Sequence, residues 1–115
     1  MMRLFLTATV ASLAIATSVS AAPAGPPLLV IHQIVADYAK WRPGYDAHAS
    51  ARTDAGLTNC SVRTEADNPN SVFVACVMAD LAKAKAFTAS KGLADAMKNA
   101  GVVGKPDIWF LSAEK

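Results

Sequence analysis

Charge is scarce in this chain, and histidine and cysteine are scarcer. Charged residues make up 17% of its 115 positions, with two histidines and two cysteines. Each shortage closes a class of function. Two histidines on separate segments, with no clustered carboxylates, give no metal-ligand spacing, so no metal is expected. No Gly-rich phosphate loop, Ser-His-Asp order or paired-carboxylate motif occurs, and no cofactor is expected either. The 11 basic and 9 acidic residues are scattered. No basic stripe forms, which argues against nucleic acid as a partner. Cys60 and Cys76 lack the Cys-x-x-Cys spacing of a redox pair.

What the chain has is apolar residues, 53% of the total, and the first stretch of them is a targeting signal. Arg3 precedes an uncharged run over residues 4–16, and Val19-Ser20-Ala21 places small residues where a signal peptidase reads. That grammar predicts a secretory signal peptide over residues 1–21. The alternative is an uncleaved anchor, but the run is barely long enough to span a bilayer and ends small and polar. No cysteine follows it to carry a lipid. The mature protein is expected to be secreted or periplasmic, with no stable membrane anchor. Residues 22–27 form a Pro-rich leader, and residues 28–115 suit one small domain.

Within that domain a phrase occurs twice. Val35-Ala36-Asp37-Tyr38-Ala39-Lys40 returns as Met78-Ala79-Asp80-Leu81-Ala82-Lys83, each time after an apolar run. Each run reads as a strand and each Asp as the cap of the next helix. Strands are expected over 28–35, 57–64, 72–78 and 107–112. A first helix should run to about Arg52, bent or divided near Pro43, and a second from Leu81 to about Ser90, stopped by Lys91-Gly92. A further helical segment follows over 93–100. The order βαββαβ predicts an α+β, ferredoxin-like fold, an antiparallel sheet in spatial order 4-1-3-2 with helices on one face.

Such a sheet should alternate apolar and polar residues, and three of these strands do not. The first shows Leu28, Val30, His32 and Ile34 on one side and Leu29, Ile31, Gln33 and Val35 on the other. Leaving such side chains wet forgoes roughly 1.5–3 kcal/mol each. A homodimer pairing two sheets face to face is the economical arrangement. Pairing Val62 with Val74 and Thr64 with Val72 sets Cys60 opposite Cys76, close enough for a disulfide. Two buried thiols remain the alternative, because a one-residue slip would point them apart.

Tyr38, Trp41, Tyr45, His48 and Arg52 recur at steps of three and four, an aromatic-to-cationic stripe on one helix face. As packing, Trp41 and Tyr45 are the helix's contact with the sheet, and His48 and Arg52 its fringe. As a site, Trp41, Tyr45 and Arg52 line a lip for an aromatic or anionic small molecule. His32, in a central apolar strand, is either a hydrogen-bonded core residue or an acid–base group. His32 and His48 are the candidate catalytic residues.

The segment Asp37-Tyr38-Ala39-Lys40-Trp41, with Phe87, Ser90, Leu93, Met97 and Ala100-Gly101-Val102, resembles the dimeric α+β barrel superfamily, in the layout of antibiotic-biosynthesis-monooxygenase-like proteins. The resemblance implies one sheet face buried in a dimer and a ligand cavity between helices and sheet. Among such proteins some oxidise aromatic polyketides without a cofactor, some degrade haem, and some are isomerases or cyclases. No catalytic motif of any branch aligns, so no catalytic residue is carried over.

Three functions remain in competition. One is a homodimer that binds a small apolar or aromatic ligand without established catalysis. The second is a cofactor-independent monooxygenase or cyclase-like enzyme, in which His32 or His48 moves a proton, Trp41 stacks on substrate and Arg52 holds an oxyanion. The third is a structural or interaction module with a filled interior. A cavity lined by His32 and the aromatic stripe would favour the first two.

Overall fold

The computed structural model describes Ala11 and residues 25–114. The expected signal peptide, apart from Ala11, and the first part of the leader lie outside the described residues. The elements run β1 (Leu28–Val35), α1 (Tyr38–Ala47), α2 (Ala49–Asp54), β2 (Leu57–Glu65), β3 (Asn68–Met78), α3 (Leu81–Thr88), α4 (Lys91–Asn99) and β4 (Val102–Leu111). The four strands form one antiparallel sheet in the order β2-β3-β1-β4. This is the expected 4-1-3-2 sheet of a ferredoxin-like α+β fold.

The repeated phrase marks two equivalent helix starts. Asp37 Oδ1 accepts from the Ala39 N–H at 2.9 Å, and Asp80 Oδ1 accepts from the Lys83 N–H at 3.0 Å. Each satisfies one of the free donors of a first helical turn. A third cap was not foreseen. Ser90 Oγ accepts from the Leu93 N–H at 3.1 Å, so Lys91-Gly92 opens α4 instead of closing α3.

The first helical segment also divides elsewhere than expected. Pro43 lies inside α1, and the break falls at His48, whose φ of −94° and ψ of 12° depart from the helix. A proline in the second turn removes one N–H bond, and the short helix tolerates that loss. Beside it, Gly44 lets α1 approach α4: a Cβ there would meet the Ala100 Cβ at 3.1 Å.

Two strands extend further than their sequence suggests, because prolines sit at irregularities. Asn68, Pro69 and Asn70 belong to β3, and the β2–β3 turn is only Ala66-Asp67. The register shifts between Thr64 and Glu65, leaving Pro69 unpaired. Pro106 lies in β4, an edge strand, where the β1–β4 register shifts between His32 and Ile34. Edges and bulges are where a strand accepts proline.

The expected β2–β3 pairing is present: Val62 opposes Val74 and Thr64 opposes Val72. A bulge at Asn59, with φ of 49°, precedes Cys60. Cys60 and Cys76 are joined by a disulfide, with Sγ atoms 2.03 Å apart.

The core lies between sheet and helices. Leu29, Ile31, Val35, Val72, Val74, Cys76 and Met78 face the helices and are buried with Trp41 and Ala84. The opposite face is apolar and uncovered. Leu28, Val30 and Ile34 lie there, with Phe73, Ala75 and Val77 on β3 and Trp109 and Leu111 on β4. Trp109 is 46% exposed and Leu111 43%.

Candidate functional site

The aromatic stripe forms a stack. The Tyr38 and Trp41 ring centroids lie 5.7 Å apart and those of Trp41 and Tyr45 5.0 Å apart. The Arg52 guanidinium lies 3.7 Å over the Tyr45 ring, within cation–π range. Arg52 Nη1 also donates to the Tyr45 carbonyl at 2.7 Å. That carbonyl belongs to the last turn of α1, where it also accepts from the His48 N–H at 3.2 Å. Arg52 therefore ties α2 to the end of α1 across the break at His48. On the outer side of α1, Arg42 donates to the Tyr38 hydroxyl at 3.3 Å and to Asp46 at 3.1 Å. The Tyr38 bond, with Asp46 adding to it, raises the Arg42 pKa above the ordinary value.

The stack forms one wall of a cleft between the helices and the sheet. Trp41, Gly44, Tyr45, His48 and Arg52 line this wall. Ile31, Gln33 and Val74 form the sheet floor, and Phe87, Leu93 and Met97 close the far side. The His48 and Phe87 rings face across it at 5.9 Å. The cleft leaves about 50 Å³ of free space. Among the described residues no Asp or Glu lines it, and Arg52 is its one formal charge.

Four of the five sequence candidates, Trp41, Tyr45, His48 and Arg52, thus meet in one place. The fifth does not join them. His32 lies on the other face of the sheet, so a cavity lined jointly by His32 and the stripe does not form. The reason is the pleat: His32 precedes Gln33, and adjacent strand residues point to opposite faces. His32 instead stacks on Phe73, with centroids 4.4 Å apart. Its Nε2 lies 2.8 Å from Ser71 Oγ, and Ser71 donates to Glu65 Oε1 at 2.6 Å. With the serine proton committed to the carboxylate, Nε2–H is the donor to Ser71. Its Nδ1 lies 3.3 Å from Asp107 Oδ2.

The residue that sequence reading passed over is Gln33. It is 5% exposed, and its Oε1 has no hydrogen-bond partner among the described residues. The signal was a lone amide among the apolar helix-facing residues of β1.

Neither a family model nor a curated relative matches the chain. Its fold, however, is shared with solved structures. A protein assigned as an antibiotic biosynthesis monooxygenase from Bordetella bronchiseptica superposes with a TM-score of 0.63 at 12% identity, over 75% of this chain and 94% of that one. One from Caulobacter crescentus gives 0.61 at 16% identity, over 80% and 92%. SnoaB, a cofactor-independent oxygenase from Streptomyces nogalater, gives 0.54 at 14% identity, over 72% and 88%. The architecture is therefore that of the antibiotic-biosynthesis-monooxygenase-like, ferredoxin-like proteins. At these identities the likeness is one of fold, and fold alone does not assign a reaction.

Proposed function

We propose that the mature protein is a secreted or periplasmic homodimer that binds a small apolar or aromatic molecule in the cleft beneath α1 and α2. The observation that carries this reading is the convergence of Trp41, Tyr45, His48 and Arg52 on one apolar recess with a single polar group on its floor. Apolar walls with a few placed polar groups are the usual make-up of a small-molecule site. Pairing of the uncovered sheet faces is supported by the run of Val30, Phe73, Trp109 and Leu111 across three strands. Export is supported by the signal-like residues 1–21 and by a disulfide, which persists in oxidising compartments. Ligand-observed NMR with a panel of small aromatics tests the site. Binding that is lost in Trp41→Ala folded variants supports it, and a panel that leaves the wild-type cleft untouched overturns it.

A second reading is favoured by the shared fold with a cofactor-independent oxygenase. In it the cleft holds an oxidisable aromatic, His48 accepts the proton released as the ring is activated, and Arg52 holds the developing oxyanion. Oxygen uptake with a quinol substrate, abolished in His48→Ala and retained in His32→Ala, is the outcome this reading requires.

A further inference from the structure

Only two polar side chains among the described residues are classed as buried, Gln33 and Ser71. Ser71 is fully engaged, between His32 and Glu65. Gln33 is not, since nothing among the described residues donates to its Oε1. A buried acceptor without a donor costs roughly 1–3 kcal/mol, and folded proteins rarely carry one without a reason. Nothing in its setting demands an amide. Its helix-facing neighbours along β1 are Ile31 and Val35, and Val72 opposes it on β3. A leucine would suit those surroundings better. Gln33 belongs to the cleft floor, in the same lining as the stacked Trp41 and Tyr45 rings.

We infer that Gln33 is the specificity anchor of the cleft, selecting planar aromatic ligands with a neutral hydrogen-bond donor, an O–H or ring N–H, on the edge that enters first. The inference rests on the cleft being a ligand site, and it adds what that ligand must carry. Three features define the class. The carbonyl oxygen only accepts, so the inner edge must donate. An ammonium donor is disfavoured, because the lining holds no carboxylate to pair with it and already holds Arg52. The walls are aromatic and aliphatic except at Arg52, so the rest of the ligand is flat and apolar apart from any group that meets that guanidinium.

The free space of about 50 Å³ has room for a few waters. A six-membered ring therefore enters only as side chains give way. Met97, unbranched and adaptable, and the half-buried Arg52 are the two lining groups able to do so.

Phenol and toluene make the test, being nearly equal in size and differing in the donor. Wild-type protein should bind phenol about tenfold or more tightly than toluene, the worth of one buried hydrogen bond. Amide shifts at Trp41 and Gly44 should place the ring in the cleft. In Gln33→Leu the preference should vanish, toluene should bind at least as well as to wild type, and the melting temperature should rise. Gln33→Met serves if the branched side chain misfolds. Equal wild-type affinities for the two probes, or a phenol preference that survives in Gln33→Leu, overturns the role of Gln33 and leaves the cleft as an apolar site. Binding of neither probe overturns the cleft reading and this inference with it.

Discussion

The imidazole of His32 reaches diagonally across the sheet to Ser71, 2.8 Å from Nε2 to Oγ, and so turns away from the cleft that its neighbour Gln33 enters. The two residues divide the sheet into two sites. One faces the helices and holds the cleft. The other faces outward, where His32, Asp107, Ser71 and Glu65 form the polar end of an otherwise apolar surface.

That division predicts how His32→Ala behaves. The substitution removes the stacking on Phe73 and the contacts of the two ring nitrogens with Ser71 and Asp107, while Ser71 keeps Glu65 as its acceptor. Stability should fall by about 1–3 kcal/mol in urea unfolding. Affinity for phenol should stay within about twofold of wild type, because His32 has no surface in the cleft. A large loss of ligand affinity without a loss of stability would place His32 in the binding site after all.

Pairing of two sheets predicts a different failure. Trp109, on the edge strand β4, lies opposite Val30, in a row that continues to Ala75 across the uncovered face. Trp109→Lys sets a charge there in each copy, and a desolvated, unpaired ammonium is costly. Sedimentation should show a dimer for the mature wild type and a monomer for the variant, with far-UV circular dichroism unchanged. A wild type that stays monomeric at high concentration would leave this apolar face unexplained and remove the pairing model.

The disulfide predicts a stability loss independent of both sites. It closes a short loop across the β2–β3 hairpin, and such bridges contribute roughly 2–4 kcal/mol. The double substitution Cys60→Ala, Cys76→Ala should lower stability by about that amount and leave the strand order intact. Unfolded, unreduced wild type should titrate no free thiols.

How far the sequence revealed these features depended on the kind of signal. Strand order, the two Asp caps and the Cys60–Cys76 pairing were legible, because each rests on local pattern or on two-residue periodicity. The division at His48, the turn at Ala66-Asp67 and the proline-bearing strand ends were not. The turn and the strand ends follow from tertiary registers and bulges, which override the local breaker signals of Pro69 and Pro106, whereas α1 accepts Pro43 at the loss of one N–H bond. For the site, helical spacing was enough to gather Trp41, Tyr45, His48 and Arg52. It could not say which face of β1 meets the helices, since both faces are apolar. His32 therefore drew attention that belonged to Gln33, one residue on and on the other side.

Arg52 makes the last prediction, because it has two roles that separate by experiment. It donates to the Tyr45 carbonyl at 2.7 Å and lies 3.7 Å over that ring, so it braces the junction of α1 and α2. Its remaining N–H donors face no carboxylate, and it makes no ion pair among the described residues. A ligand bearing a carboxylate opposite its hydroxyl should therefore gain from it. In wild type, 4-hydroxybenzoate should bind more tightly than phenol, by roughly the 1.5–3 kcal/mol of a hydrogen bond to a charged group. Arg52→Ala should erase that gain and also lower stability by about 1 kcal/mol through the lost brace. Arg52→Lys keeps the charge but not the planar fork, so it should retain part of the anion preference while losing the stacking on Tyr45. Both are read by calorimetric titration beside thermal unfolding. Equal binding of the two ligands by wild type would confine Arg52 to the structural role.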